Sequence, residues 1–402
     1  MNDKLDNEPI KCAICGGLVH AIQSHLKKDH ADVSVEQYQQ MFPNAPLLSE
    51  LAKRRLEEAR AAKAAAASQS PESSPVETTK VEMVQPATVT PIKAPLKRPM
   101  HELFGLRAEG DALNSRGEPV QITVLPAGAH GDLVPETRDY VFEPEQLKDA
   151  LLAIELNIPL YVWGHKGTGK TELIEQIAAR TKRPLMRIQH TVNTEESHIV
   201  GQWTSRGGET HFELGPLAVA MQNGWIYLAD EYDFALPSVL GVYQAALEGK
   251  ALIIKQADAA NRVIKPHPNF RFVATGNTNG SGDESGLYQG TSIQNSANYD
   301  RFGCTINKKF MSEADEARVL IAKCGLHHDD ARDLAKFAKA VRDAYEGAKI
   351  SELITPRALI SAAQFGVIKA SFRKGIALAF TNKLGAVDKE VVDSVTNRVF
   401  PS

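Results

Sequence analysis

From Gly164 to Thr171 the chain reads GHKGTGKT, a spacing of glycine, lysine and hydroxyl that suits the binding of phosphate. Gly164, Gly167 and Gly169 let backbone N–H groups turn inward on an anion, with His165, Lys166 and Thr168 completing the loop. Lys170 supplies a point charge to the outer phosphates, and the Thr171 hydroxyl is a hard oxygen ligand for Mg²⁺. Such a loop must lie between a strand and the first turn of a helix. Residues 159–163, PLYVW, read as a short apolar strand, while Leu173, Ile174, Ile177 and Ala178 recur at helical spacing.

A phosphate loop alone binds nucleotide, so a hydrolytic apparatus must come from elsewhere. Residues 225–231, WIYLADE, form an apolar run ending in two carboxylates. Asp230 would hold Mg²⁺ through its water shell and Glu231 would polarise the attacking water. A further run, residues 270–275, ends at Gly276 and Asn277, whose amide could hold that water against the terminal phosphate; a turn asparagine is the plainer reading. Arg301, in NYDRF, could act as an arginine finger on a neighbouring subunit's phosphate, or could be a surface charge. Arg357 follows Thr355 and Pro356 at the start of a helical segment, where it could sense nucleotide in the same subunit or simply open the helix.

Around these residues the chain divides into five stretches. Residues 1–48 carry a small Cys/His unit, and residues 49–66, with their run of alanines and charges, have high helix propensity. Residues 67–99 are rich in Ser, Pro, Thr, Val and Glu and read as a flexible, disordered linker. Residues 100–311 alternate strand-like and helix-like segments, and residues 312–402 are mainly helical, giving an α/β core with a helical lid. At 402 residues, 43% apolar and 24% charged, the chain has the composition of an ordinary soluble protein. No membrane-length apolar run occurs, and the charged N-terminus lacks the apolar segment of a signal peptide, which predicts a cytoplasmic protein. Four cysteines fit that compartment, with Cys304 and Cys324 read as reduced packing residues. A net charge of −3 gives no overall nucleic-acid signature.

The order of phosphate loop, carboxylate pair, amide, finger and second arginine resembles the AAA+ ATPases of the MoxR group. The strings GHKGTGKTELIEQIAAR, LADEYDFALPSVL, RVIKPHPNFRFVATGNTNGSGDESGLYQGT and ITPRALIS are similar to the CobS family, the ATPase subunits of aerobic cobaltochelatase, from about residue 100 to the C-terminus. The DEYD string and the GLYQGT loop are its more specific marks. That resemblance implies an AAA+ P-loop core with a C-terminal lid. It also implies a homo-oligomeric ring, often hexameric, acting with an adhesion-type subunit and a large chelatase subunit that places Co²⁺ in a corrin-type macrocycle. ATP and Mg²⁺ are the implied cofactors. MoxR-type proteins also carry an inserted hairpin, here expected within residues 192–217, where TSRGGETHFELGPL could face a ring pore or client, or only pack on a neighbour.

Subunits of that family do not usually begin with a Cys/His unit. Cys12, Cys15, His25 and His30 have the spacing C-x₂-C-x₉-H-x₄-H, which can close a tetrahedral, structural Zn²⁺ site. The segment over about residues 10–48 resembles the Ros/MucR zinc finger, with His20 expected as a surface residue. Fingers of that type bind DNA, yet residues 1–48 hold four lysines against six carboxylates, which disfavours nucleic acid and favours a protein-docking role. Two functions therefore stand side by side: a chelatase motor, and a MoxR-type remodelling chaperone directed elsewhere by its finger. A DNA-binding regulator whose ATPase fold only oligomerises is disfavoured by the intact Lys170, Glu231, Asn277 and Arg301.

Overall fold

The computed structural model describes residues 9–30, 33–51, 53, 95–126, 128, 130–283, 288 and 290–401. The chain divides into two compact units, residues 1–88 and 89–402.

The larger unit is built on five parallel strands: β1 (Leu160–Trp163), β2 (Leu185–Gln189), β3 (Ile226–Asp230), β4 (Arg271–Gly276) and β5 (Cys304–Asn307). Their order is β5-β1-β4-β3-β2. β3 and β4 are buried along their whole length, which is why they read as mainly apolar runs rather than alternating ones. Register places Val273 of β4 between Leu160 of β1 and Leu228 of β3. The carboxyl ends of these three neighbours therefore finish along one edge, where a parallel sheet offers its binding crevice.

Helices cover both faces of this sheet. α1 (Pro144–Glu155) and α2 (Lys170–Thr181) share one core with it, α1 giving Leu151 and Ile154 and α2 giving Leu173, Ile174, Ile177 and Ala178. α3 (Pro216–Asn223) packs on the opposite face with Trp225, Tyr227 and Phe272. Between β2 and α3 stands an antiparallel hairpin, Gly201–Arg206 with Glu209–Leu214. Its two linking residues, Gly207 and Gly208, have φ of +64° and +84°, the left-handed pair that such a tight turn needs.

Five helices form the lid: α4 (Glu313–Cys324), α5 (His328–Glu346), α6 (Pro356–Ile368), α7 (Phe372–Ala379) and α8 (Ala386–Val399). Leu334, Phe337, Val341, Leu359 and Ile376 are its buried centre. Arg342 of α5 forms a bidentate pair with Glu316 of α4, both contacts at 2.8 Å, and its guanidinium lies 4.1 Å from the Phe310 ring. Removing one partner of such a buried pair costs about 3–5 kcal/mol.

The C-terminal end of the expected linker differs from the structure. Leu96–Pro99, the end of the stretch expected as a linker, pairs antiparallel with Gln121–Val124, so the ATPase unit begins before residue 100. The rest of that stretch, residues 67–94, lies outside the described residues, as does the expected helix 49–66 beyond Leu51 and Lys53. Among the described residues no helix is long and apolar enough to cross a membrane.

In the N-terminal unit, Ile10–Lys11 pairs with Leu18–Val19, followed by helices Ile22–Asp29 and Val35–Met41. The second helix starts from a capping box between Ser34 and Gln37. Cys12, Ile22, Leu26 and Tyr38 form the buried centre. His20 is exposed, as expected, and shares a 2.9 Å hydrogen bond with Ser49.

Candidate functional site

The phosphate loop leaves β1 and feeds the first turn of α2, with Gly167 and Gly169 at φ of +82° and +84°. A side chain at Gly167 would strike Thr355, and one at Gly169 would press on Tyr140, so both glycines are needed for conformation and for space. The Tyr140 hydroxyl donates to the Gly169 carbonyl at 3.2 Å. Lys170 Nζ donates to the carbonyls of Gly164 (2.7 Å) and His165 (3.1 Å) and to Asn277 Oδ1 (3.1 Å). Burial pushes its ammonium down to about 8, against the opposing pull of Asp233, Asp230 and Glu231.

Asp230, at the end of β3, is almost fully buried. Its Oδ1 accepts from Thr171 Oγ1 (2.8 Å) and from Thr275 Oγ1, while Oδ2 accepts from Arg187 Nε (2.9 Å) and Nη2 (2.6 Å). Glu231 follows with φ of +53°, a strained value for a non-glycine that turns its carboxylate out of the strand direction. Gln189 Nε2 donates to Glu231 Oε2 at 2.8 Å. The hydroxyl of Thr171 and the carboxylate of Asp230 are hard oxygen donors of the kind Mg²⁺ prefers, so the residues present fit that ion.

Behind the amide lies Asp233. Its Oδ2 accepts from the amides of Asn277 (2.8 Å) and Thr278 (2.9 Å) and from Thr278 Oγ1 (3.0 Å), which fixes the turn carrying Asn277. Burial pushes the Asp233 carboxyl up despite these donors.

Together these residues line a cleft of about 750 Å³ that reaches from Asp139 and Tyr140 to Arg357 and Ile360 of α6. Lys166 to Thr171, Asp230, Glu231, Asn277 and Arg357 meet there. Gly164 and His165 do not line it. Gly164 turns only its carbonyl to Lys170, because the Lys308 backbone crosses where a side chain would stand. The His165 ring lies nearly parallel to Phe310 and shares a 3.0 Å hydrogen bond with Tyr288, and burial lowers its pKa. Lys166 Nζ pairs with Glu352 of the lid at 3.0 Å. Arg301 also lies away from the cleft, where its Nε donates to Glu248 at 2.7 Å.

Sequence reasoning passed over Arg187, Gln189, Thr275 and Tyr288. The first two are alternate residues of LMRIQ, two long polar side chains on one face of an otherwise apolar strand, which is a readable signal once the strand is known. Tyr288 sits within the GLYQGT loop, and its hydroxyl accepts from the Lys166 amide at 3.0 Å.

In the N-terminal unit, ligand atoms of Cys12, Cys15, His25 and His30 lie within 4.8 Å of one another. His25 Nε2 is 3.1 Å from Cys15 Sγ, and its Nδ1 is 2.8 Å from Asp29. A carboxylate on the far ring nitrogen is the usual orienting partner of a metal-bound imidazole. His30 Nε2 is buried with no hydrogen-bond partner among the described residues. That orphaned nitrogen, beside two thiols and a second imidazole, suits a tetrahedral Zn²⁺.

The sheet order, phosphate loop and carboxylate pair define a P-loop ATPase of the AAA+ class, which works on Mg·ATP. The family model for the AAA domain (dynein-related subfamily) matches residues 159–292. The chain is 33% identical over 293 residues to the aerobic cobaltochelatase subunit CobS of Sinorhizobium sp, covering 69% of this chain and 86% of that protein. It belongs to the CobS family, in the MoxR group of AAA+ ATPases. Other relatives are NorQ of Paracoccus denitrificans (strain Pd 1222), 26% identical across 52% of this chain and 73% of that one, and the gas vesicle ATPase GvpN of Ancylobacter aquaticus, 25% identical across 52% and 63%.

Proposed function

We propose that this ATPase is the motor of a metal-inserting assembly, hydrolysing Mg·ATP to drive cobalt insertion into a corrin-type macrocycle by partner subunits. The observation that carries the hydrolytic part is the meeting of Lys170, Asp230, Glu231 and Asn277 on one cleft. Bound Mg²⁺ supplies charge neutralisation on the phosphates and would be held through Thr171 and Asp230. Lys170 draws the outer phosphates, Asn277 and Glu231 orient and polarise the attacking water, and Arg357 senses nucleotide from the lid. Arg301 stands apart from its own cleft, which supports a role on a neighbouring subunit's phosphate within a homo-oligomeric ring. The hairpin tip at Gly207 and Gly208 is the element offered to a pore or client.

The cobalt reading rests on the identity to CobS. The test is affinity capture with Glu231→Gln protein held in ATP. Recovery of a large chelatase subunit and an adhesion-type subunit is expected, and their absence beside an unrelated client sinks it. That second outcome is the MoxR-type remodelling chaperone, favoured by one observation: a separate N-terminal unit with a Cys/His cluster, read as a structural Zn²⁺ module for docking protein rather than DNA. The domain scheme that goes with both readings is finger, tether, ATPase core and lid.

A further inference from the structure

We infer that Arg187 is a positioning residue for Asp230 and gives up its hold on that carboxylate to Glu175 when Mg·ATP binds. The inference rests on Asp230 belonging to the magnesium site. A carboxylate has about four lone-pair directions. At Asp230 all four are taken: two by the hydroxyls of Thr171 and Thr275, and two by Nε and Nη2 of Arg187. No acceptor remains for a metal-bound water, so loading the site has to break at least one of these bonds.

The four bonds differ in what can replace them. The Thr171 hydroxyl can keep donating to Asp230 while its oxygen lone pair turns to a metal. Thr275 is 1% exposed and sits on the central strand β4, with no space to withdraw. Arg187 is different: its side chain is 44% exposed at the mouth of the cleft, and its Nη1 is already 3.3 Å from Glu175 Oε1 on α2. One flank of the guanidinium holds Asp230 and the other touches an alternative carboxylate. A planar, always charged fork on a long stem suits such an exchange. It also offsets the clustered charge of Asp230, Glu231, Glu172 and Glu175, all lining the same cleft.

The experiment titrates MgCl₂ into full-length protein with a fluorescent, slowly hydrolysed ATP analogue and reads binding, not turnover. Removing the resident cation in Arg187→Gln is expected to lower half-saturating Mg²⁺ roughly fivefold, the scale of a partly exposed charge-assisted pair. Glu175→Gln removes the place to which Arg187 withdraws and is expected to raise it by a similar factor. Through-space charge alone would give the same signs, so the double variant decides. If Arg187 moves to Glu175, the Glu175 substitution becomes nearly silent in the Arg187→Gln background; if the two shifts multiply, or neither single variant shifts, the inference is overturned. Arg187→Lys keeps the charge without the fork and should lie between wild type and Arg187→Gln, with thermal melts confirming folding. A wild type that shows no Mg²⁺ dependence would instead remove Asp230 from the magnesium site, a separate failure.

Discussion

Replacing Asp233 by alanine tests whether the DEYD string matters through the turn it fixes. The substitution takes away the one acceptor that the described residues offer the Asn277 and Thr278 amides and Thr278 Oγ1, at a place where Thr278 is 7% exposed and Asp233 fully buried. Each orphaned buried donor costs about 1–3 kcal/mol. The gain from no longer desolvating a carboxyl that burial already pushes up offsets part of this, leaving a net loss of about 2–3 kcal/mol. A unit of about 300 residues unfolds with an entropy near 0.6 kcal/mol/K, so the melting temperature should fall about 4 °C. Turnover should fall further than stability suggests, by about 100-fold, because Asn277 loses the turn that aims its amide. Asp233→Asn, which keeps one oxygen acceptor, should recover part of both. Calorimetry paired with a phosphate-release assay reads the two effects. A variant Asp233→Ala that melts within a degree of wild type and turns over within twofold would refute the argument that this carboxyl organises the site.

The other predictions concern charge, metal and assembly. Because burial brings the Lys170 pKa from 10.5 to about 8, nucleotide affinity should weaken above about pH 8, approaching tenfold per unit for one lost proton; isothermal titration from pH 7 to 9.5 checks this, and a flat profile contradicts it. The sign for folding is opposite, since between these two values the unfolded chain binds the extra proton and the Lys170 contribution to stability grows as pH rises. The full chain should hold one Zn²⁺, measured by atomic emission, and His30→Ala should lose it on dialysis against a chelator while ATP hydrolysis persists; retained zinc would remove His30 from the site. Arg301→Ala should bind ATP within about twofold of wild type yet lose about 1,000-fold in turnover, and mixing it with Lys170→Ala protein should restore part of the activity, since each subunit supplies what the other lacks. No recovery on mixing, with mixed oligomers shown to form, contradicts action between subunits.

The sequence by itself determined the local machinery. A strand, GHKGTGKT and an amphipathic helix are contiguous, so the phosphate loop is specified by nearest neighbours and backbone sterics. The acid pair at the end of an apolar strand and the C-x₂-C spacing are legible for the same reason, and one short hairpin and one helix suffice to gather Cys12, Cys15, His25 and His30. What chain order cannot carry is which long-range partner each polar side chain meets. Arg187 reaches Asp230 across 43 residues and Tyr288 reaches the Lys166 amide across 122, contacts set by the β5-β1-β4-β3-β2 order and the meeting of loops at one sheet edge. The turn of His165 toward Phe310 and the reserve of Arg301 beside Glu248 were likewise decided by tertiary packing. A motif fixes which chemistry a residue can perform; the strand order and the lid fix which neighbour is close enough to hold, block or release it.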